Sequence, residues 1–278
     1  MASYCEAKSR NGIWLLRIED VDTPRVVAGA SEQILRDLEA FGFAWDGPVL
    51  YQSDQFEQYQ FYLDQLLAQG DCYACECSRR SLREHGVRSG PLGQIYPGLC
   101  RLKQLPVANH SLRLNTASAS SIGFTDRVYG EFALNLPESV GDFVLKRVDN
   151  IFAYHLAVVV DDQLQGVTQV VRGADLLENT CLHLYLQQKL SFVTPEYMHI
   201  PLVNNAQGMK LSKQTGAMAL EHRYASRLLV AALNHLRQVP PSGFECNDPR
   251  EILQWAVDNW NPALIPVQPA TLAESIQD

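Results

Sequence analysis

Residues 14–25 constrain the fold more than any other part of the sequence. Residues 14–18 form a largely apolar run, short enough for a buried parallel strand, and Glu19 follows it directly. Open α/β sheets bind their ligands beyond the carboxyl ends of their strands. Glu19 is therefore predicted to face a ligand. A second run at residues 152–160, solidly apolar over residues 157–160, is predicted to return to the same sheet as a central strand.

Helical patterns alternate with these runs. Apolar residues at helical spacing predict a helix over residues 30–41, a second helix opening at Asp54, and further helices over residues 174–190, 227–236 and 252–260. The chain has 278 residues, 46% hydrophobic and 19% charged, which is typical of a soluble globular protein. It contains no apolar run of the ~20 residues that a membrane span requires. We therefore expect an α/β protein of the cytoplasm with no membrane association.

A loop at residues 207–216 carries two lysines three positions apart, Lys210 and Lys213. Glycines at both ends allow such a loop to close over a ligand, and two ammonium groups can neutralise a polyphosphate. Many loops with this composition are simply solvated. The local pattern nonetheless favours a phosphate-binding loop.

Four of the seven cysteines cluster between Cys72 and Cys100, which favours a metal site over a disulfide framework. Cys75 and Cys77 can bind one ion from a single turn, and Cys100 can complete a tetrahedral zinc site with a fourth ligand. Spacing alone favours Cys72 as that ligand, and His85 is a second alternative. Buried thiols without a metal and an iron–sulfur cluster are further alternatives.

Basic residues are concentrated in the same region. Residues 79–103 contain Arg79, Arg80, Arg83, Arg88, Arg101 and Lys103 but only one acid, Glu84, whereas the whole chain has a net charge of −8. A basic patch on an acidic protein is typical of a polyanionic partner bound at one defined surface. A solvated loop is the alternative interpretation.

Several phrases of the sequence resemble those of class I aminoacyl-tRNA synthetases of the glutamyl type. Residues 210–214 resemble the Lys-Met-Ser-Lys-Ser loop of that class, residues 17–22 its Arg-Ile-Glu-Asp-Thr-Asp segment, and residues 171–175 its Val-Arg-Gly-x-Asp phrase. With residues 150–162, the resemblance covers most of residues 3–218. It implies a Rossmann-like α/β catalytic domain with a zinc-binding insertion and a short helical C-terminal region. The expected divisions are 1–71 and 141–220 for the catalytic domain, 72–140 for the insertion and 221–278 for the C-terminal region.

The resemblance also assigns roles to individual residues. It implies that Glu19, Tyr154 and Arg172 bind glutamate, that Lys210 and Lys213 are the catalytic lysines, and that Lys213 also binds ATP. The guanidinium of Arg172 is planar and suited to binding a carboxylate. The alternative interpretation of Arg172 is a structural ion pair with Asp175. The alternative interpretation of Tyr154 is an aromatic side chain of the hydrophobic core that binds no ligand. The implied zinc ligands are Cys75, Cys77, Tyr96 and Cys100, holding a structural Zn²⁺; ATP is a substrate, accompanied by Mg²⁺.

Within that family the chain resembles a short branch that lacks an anticodon-binding domain. This branch implies transfer of glutamate to queuosine in the anticodon of tRNA(Asp), by a monomer. The His-x-Gly-His type motif that precedes residue 10 in such enzymes is not in the sequence, so we expect the chain to begin inside the fold. A catalytic fragment of a glutamyl-tRNA synthetase and an inactive zinc-containing tRNA-binding module are therefore alternatives.

Overall fold

A computed structural model describes residues 1–205, 209–211, 220–267 and, as backbone only, 270–271. None of the helices in this part of the chain combines the length and the apolar character that crossing a bilayer requires.

The helices alternate with strands for most of the chain. They are α1 Ala2–Lys8, α2 Ala30–Ala40, α3 Phe56–Ala68, α4 Arg79–Glu84, α5 Leu136–Ser139, α6 Tyr154–Leu164, α7 Leu177–Leu190, α8 Ala225–His235 and α9 Pro249–Asp258. The strands are β1 Arg17–Ile18, β2 Leu50–Tyr51, β3 Cys72–Cys75, β4 Ser89–Gly90, β5 Gly93–Gln94, β6 Ser111–Leu114, β7 Ser121–Asp126, β8 Gly130–Asn135, β9 Val144–Lys146, β10 Gln169–Gly173, β11 Glu196–Ile200, β12 Val203–Asn204 and β13 Ala270–Thr271.

Two parallel strand pairs carry the α/β part of the fold. β1 pairs with β2, and α2 makes the crossover between them; β10 pairs with β11, and α7 makes that crossover. Parallel strands require such crossovers, which accounts for the alternation of helices and strands. Glu19 directly follows β1, and Arg172 lies one residue before the end of β10. Both predicted site residues are thus at carboxyl ends of parallel strands.

The strand predicted over residues 152–160 is wrong, because α6 occupies Tyr154–Leu164. All seven residues from Leu156 to Asp162 are buried, so this helix is enclosed on every side. A helix without a solvent face reads as an unbroken apolar run, which periodicity alone cannot distinguish from a buried strand. The remaining predicted helices are found within a few residues of their expected bounds.

The main core lies between α3, α6 and α7. Its fully buried members include Leu63, Leu66, Leu156, Val160 and Leu186. Burying a side chain of this size contributes about 1.5–3 kcal/mol each. The core continues into the β-rich segment, since Leu112 and Leu114 of β6 belong to it.

The segment after α3 is mainly antiparallel. β6 lies between β3 and β9, and β7 and β8 form a separate hairpin. Asp126 closes this hairpin, because its Oδ1 accepts hydrogen bonds from the backbone N–H groups of Val128 and Tyr129 at 3.0 and 2.9 Å. The strand β9 belongs to the sheet of β3 and β6 and is the last strand before α6.

The C-terminal helices pack against the start of the chain. α8 and α9 form a second core with Cys5 of α1 and with Phe41 and Phe43, which follow α2. Apolar residues on one face of α9, including Ile252 and Ala256, fill this core. Helices α8 and α9 agree with the helical C-terminal region that the sequence predicted, and the described part of this region also contains the short strand β13.

Candidate functional site

Uncharged acceptors surround the guanidinium of Arg172. Its Nε donates to His199 Nε2 at 3.2 Å, and its Nη2 donates to Thr180 Oγ1 at 2.8 Å. Its Nη1 lies 3.2 Å from His183 Nδ1 and 3.4 Å from the Tyr154 hydroxyl. The predicted pair Arg172 and Tyr154 is therefore in direct contact.

The alternative ion pair between Arg172 and Asp175 is not formed, because Asp175 pairs with Lys210 instead. Among the described residues, no carboxylate makes an ion pair with Arg172. A half-buried guanidinium held only by neutral groups keeps its positive charge available. This arrangement suits a carboxylate ligand.

The imidazoles next to Arg172 are neutral, each with a fixed tautomer. A guanidinium can only donate hydrogen bonds, so His199 Nε2 and His183 Nδ1 must accept them. His199 then carries its proton on Nδ1 and donates to Asp126 Oδ2 at 2.7 Å. His183 carries its proton on Nε2 and donates to Nδ1 of His155 at 3.1 Å. The result is one continuous chain of hydrogen bonds behind the guanidinium.

The pKa values of His155 and His183 agree with neutral imidazoles. Burial, followed by the charge of Arg172, lowers the pKa of His155 to about 4. The same two causes hold the pKa of His183 well below its usual value. Burial opposes ionisation of Asp126, but hydrogen bonds from His199 and from backbone N–H groups lower its pKa overall. The positive charge of this site therefore rests on Arg172 at neutral pH.

Glu19, which follows β1, is held by Arg17. Arg17 pairs with Glu19 at 3.3 Å and with Asp162 of α6 at 2.9 Å. Burial raises the pKa of the Tyr154 hydroxyl, the charge of Arg172 lowers it, and the Glu19 carboxylate raises it. The Tyr154 hydroxyl is therefore influenced by both a cation and an anion. Such a site can orient a ligand that carries both charges.

The lysine loop is described only in part. Lys210 pairs with Asp175, and its backbone bridges to Asn204 at the end of β12. The Lys210 side chain is 53% exposed. Its partner Asp175 lies three positions after Arg172 in the sequence. Lys213 lies outside the described residues.

Three cysteines and one tyrosine converge at the predicted metal site. The Sγ atoms of Cys75, Cys77 and Cys100 all lie within 4.8 Å of one another. Tyr96 Oη is 3.3 Å from Cys75 Sγ and 3.6 Å from Cys77 Sγ, and Cys77 Sγ is 3.6 Å from Cys100 Sγ. Zn–S bonds of about 2.3 Å in a tetrahedron place two sulfurs ~3.8 Å apart, and a sulfur and an oxygen ~3.5 Å apart. The four atoms therefore fit a tetrahedral zinc ion.

The two alternative fourth ligands lie elsewhere. Cys72 is packed in the main core with Leu114 opposite it, and burial raises its pKa to about 12. His85 is exposed at the end of α4, with Nδ1 2.7 Å from the Ser81 carbonyl oxygen. Tyr96 is 1% exposed, and its oxygen accepts the backbone N–H of Cys100 at 3.0 Å. Burial and the neighbouring cysteines raise the pKa of its hydroxyl.

A cleft of about 1560 Å³ connects this cluster with Tyr154 and His155. Arg79 and Arg83 of α4 line one part of it, and Arg25 and Arg147 line another. The basic patch predicted from residues 79–103 has six members. Three of them make ion pairs instead: Arg80 with Glu84, Arg101 with Asp142 and Lys103 with Glu76.

Sequence patterns did not reveal the residues that support Arg172. His183 and His199 lie on α7 and β11, and Asp126 lies on β7, so no spacing in the sequence joins them. The acidic pair that ends the apolar run at residues 157–160 could have revealed Asp162, since a carboxylate in α6 must find a partner. That partner is Arg17.

Comparisons with known proteins show the family of this chain. A family model described as "tRNA synthetases class I (E and Q), catalytic domain" matches residues 1–255. A curated relative from Ectopseudomonas mendocina named glutamyl-Q tRNA(Asp) synthetase is 44% identical over 275 residues, covering 99% of this chain and 90% of the relative. A relative of the same name from Chromobacterium violaceum is 46% identical over 276 residues, covering 98% of this chain and 90% of the relative.

Solved structures establish the fold independently. A glutamate-tRNA synthetase from Elizabethkingia anophelis superimposes with a TM-score of 0.79 at 23% identity, covering 99% of this chain. A glutamate tRNA ligase from Elizabethkingia meningosepticum gives a TM-score of 0.78 at 23% identity. This chain spans 64% and 63% of those two proteins, less than two thirds of each.

Proposed function

The chain belongs to the catalytic-domain family of class I tRNA synthetases for glutamate and glutamine, and from this membership we propose that it activates glutamate with ATP and transfers the glutamyl group to queuosine in the anticodon of tRNA(Asp). The names of its relatives support the nucleic-acid substrate. The proposal that the amino acid is glutamate rests on Arg172, whose guanidinium is hydrogen-bonded only to neutral groups.

Glutamate would bind with its two kinds of charge directed at Arg172 and Glu19. Its side-chain carboxylate would bind Arg172 and its ammonium group would bind Glu19. The Tyr154 hydroxyl would donate to the ligand while Arg172 holds the tyrosine in place. Glutamine would offer Arg172 an uncharged amide and leave the cation without a counter-charge.

Activation needs positioning and charge stabilisation rather than a side-chain nucleophile. An oxygen of the α-carboxylate attacks the α-phosphorus of ATP, a new C–O–P linkage forms, and the bond to the β-phosphate breaks to release pyrophosphate. Lys213, helped by Lys210 beside Asp175 and by Mg²⁺, would neutralise charge on the departing phosphates.

The second step forms an ester between glutamate and the cyclopentene-diol of queuosine. A hydroxyl of the diol attacks the activated carbonyl carbon, AMP leaves with the bonding electron pair, and the hydroxyl proton passes to solvent or to the phosphate. The cleft of about 1560 Å³ from Tyr154 to the cysteine cluster would admit the RNA to the adenylate.

The arginines of this cleft would bind the RNA backbone. Arg79 and Arg83 have no acidic partner among the described residues, and they line the cleft on α4. Arg25 and Arg147 line it from the catalytic part, where both contact Asp22. Phosphate contacts of this kind position RNA and weaken as salt rises.

Zinc would be held by Cys75, Cys77, Tyr96 and Cys100. When bound it supplies a closed, four-coordinate cross-link, and no step of the reaction passes through it. Its ligands bracket α4, so the cross-link would fix the helix that presents Arg79 and Arg83.

The test is transfer of labelled glutamate, with ATP, to tRNA from cells that make queuosine and from cells that cannot. We expect label only on the queuosine-containing tRNA, and the linkage should survive removal of the tRNA 3′ end. Label on both tRNA pools would support charging of the 3′ end instead. Label on neither pool, with glutamate-dependent exchange of pyrophosphate intact, would contradict the proposed RNA substrate but not glutamate activation.

A further inference from the structure

Arg113 of β6 is a buried cation placed against two of the four converging residues. It is 9% exposed. Its Nε donates to Cys75 Sγ at 3.2 Å, and its guanidinium carbon lies 4.0 Å from the centre of the Tyr96 ring. One side chain therefore touches a sulfur and an aromatic face of the same cluster.

No carboxylate of the described residues neutralises this buried charge. Arg113 contacts the residue Asp142, but the carboxylate of Asp142 binds Arg101 through two contacts of 2.6 and 2.7 Å and also accepts from Thr116 and Tyr73. Arg113 contacts only the backbone oxygen of Asp142, at 2.8 Å. Burying a guanidinium without an anionic partner is costly, so Arg113 requires a counter-charge from the cluster itself.

A loaded cluster would supply that counter-charge. Three thiolates and one phenolate carry four negative charges, and Zn²⁺ cancels two of them, so the loaded site has a net charge of −2. A guanidinium at Cys75 and Tyr96 cancels one more. The charge that is unfavourable in the metal-free protein is thus favourable when the metal is bound.

We propose that Arg113 is the counter-ion and positioning residue of the zinc site, holding the Cys75 thiolate by a hydrogen bond and the Tyr96 phenolate by its position over the ring. The inference rests on the proposed zinc site. It also accounts for a tyrosine at a position usually taken by cysteine or histidine. A cation over an aromatic face gains attraction when the ring becomes a phenolate, and the backbone N–H of Cys100 donates to the same oxygen.

The test measures zinc affinity by competition with a chromophoric chelator in the purified protein. Arg113→Met keeps the length of the side chain and removes its charge, and Arg113→Lys keeps the charge without the planar fork. We expect Arg113→Met to weaken zinc binding about 10–100-fold and Arg113→Lys to weaken it less. Arg80→Met is the matched control, because Arg80 is 84% exposed in the same segment and touches no ligand; its zinc affinity should be unchanged.

The cobalt form gives a second readout that a purely structural role would not change. With Co²⁺ in the site, loss of phenolate ligation shifts the visible absorption bands, and we expect that shift in Arg113→Met but not in Arg80→Met. Unchanged zinc affinity in a folded Arg113→Met protein would overturn the proposal, and so would equal losses in Arg113→Met and Arg113→Lys. If Arg113→Met does not fold, Arg113→Lys decides: a loss of about threefold or more supports the role, and parental affinity overturns it.

Failure of the underlying zinc site has a different signature. A parental protein that binds no zinc overturns both the site and the role of Arg113. A parental protein that binds one zinc ion while Arg113→Met binds it equally well overturns the role alone. Glutamate transfer does not enter either measurement, so the proposed activity stands or falls separately.

Discussion

At the scale of single residues, Arg172 is defined by what surrounds it. Four of its neighbours accept its hydrogen bonds or lie beside it without charge: His199, Thr180, His183 and Tyr154. The chain from His199 to Asp126 fixes the guanidinium plane from behind. A planar fork held in one orientation can bind a carboxylate through two parallel hydrogen bonds.

Replacing this fork with a point charge should impair activation. We expect Arg172→Lys to lower kcat/KM for glutamate in pyrophosphate exchange by about 100-fold, because lysine cannot replace two directed hydrogen bonds. Arg36→Lys, at an exposed position of α2, makes the same substitution away from the site and should match the parental protein. Equal rates for Arg172→Lys and the parental protein would contradict the role of Arg172.

The sequence singled out Arg172 and Tyr154, which we propose face a ligand, but it did not indicate the residues that hold them. Arg172 and Tyr154 stand in recognisable phrases, and the structure brings them into contact at 3.4 Å. His183, His199 and Asp126 come from three separate elements and meet only through tertiary packing. A hydrogen-bond partner chosen by folding leaves no periodic signal along the chain.

At the scale of elements, the segment from Cys75 to Cys100 has almost no core of its own. Its small cluster comprises the cysteines with Leu82 and Tyr96, and α4 spans only six residues. A helix this short is not stable alone. The segment therefore depends on a cross-link between its ends, which the converging ligands can supply.

Removing the metal should loosen this segment selectively. We expect chelation of zinc to abolish the protection of backbone amides over residues 76–100 in hydrogen exchange, while amides of α7 keep theirs. Cys77→Ser should show the same loss before chelation. Protection that is equal with and without chelator over residues 76–100 would show that the segment does not depend on a metal.

The elements also show where periodicity fails. The helices α2 and α9 are amphipathic and keep one face toward solvent. The helical spacing of their apolar residues could therefore be recognised in the sequence. The helix α6 is buried over seven consecutive residues and was misread as a strand. The hairpin turn between β7 and β8 depends on the side chain of Asp126, whose second oxygen is bound to His199 far away in sequence.

At the scale of the whole molecule, the buried histidines link stability to pH. In the unfolded chain a histidine titrates near pH 6.5, whereas burial and Arg172 lower the pKa of His155 to about 4 in the folded protein. Between these values the unfolded state binds a proton that the folded state does not. The contribution of His155 to the free energy of unfolding is therefore fully present above about pH 6.5 and is lost as the pH falls toward about 4.

This difference predicts a measurable loss on mild acidification. The free energy of unfolding should fall by about 2 kcal/mol for His155 alone between pH 7 and pH 5, with a further loss from His183, whose pKa is lowered in the same direction. Urea unfolding at the two pH values measures it. His155→Gln should reduce the difference, and His85→Gln, at an exposed position, should not. An unfolding free energy that is equal at both pH values in the parental protein would refute the linkage.

The short strand β9 joins two parts of the molecule that have different tasks. Val144 lies opposite Arg113, next to the cysteine cluster, and the carbonyl of Leu145 accepts the backbone N–H of Ala153, the residue that precedes Tyr154. The two ends of the cleft are thus connected by one hydrogen-bonded ladder without an intervening hinge. If the protein binds RNA as proposed, any movement of β3 and β6 on binding must either carry Tyr154 with it or break the pairing of β6 with β9.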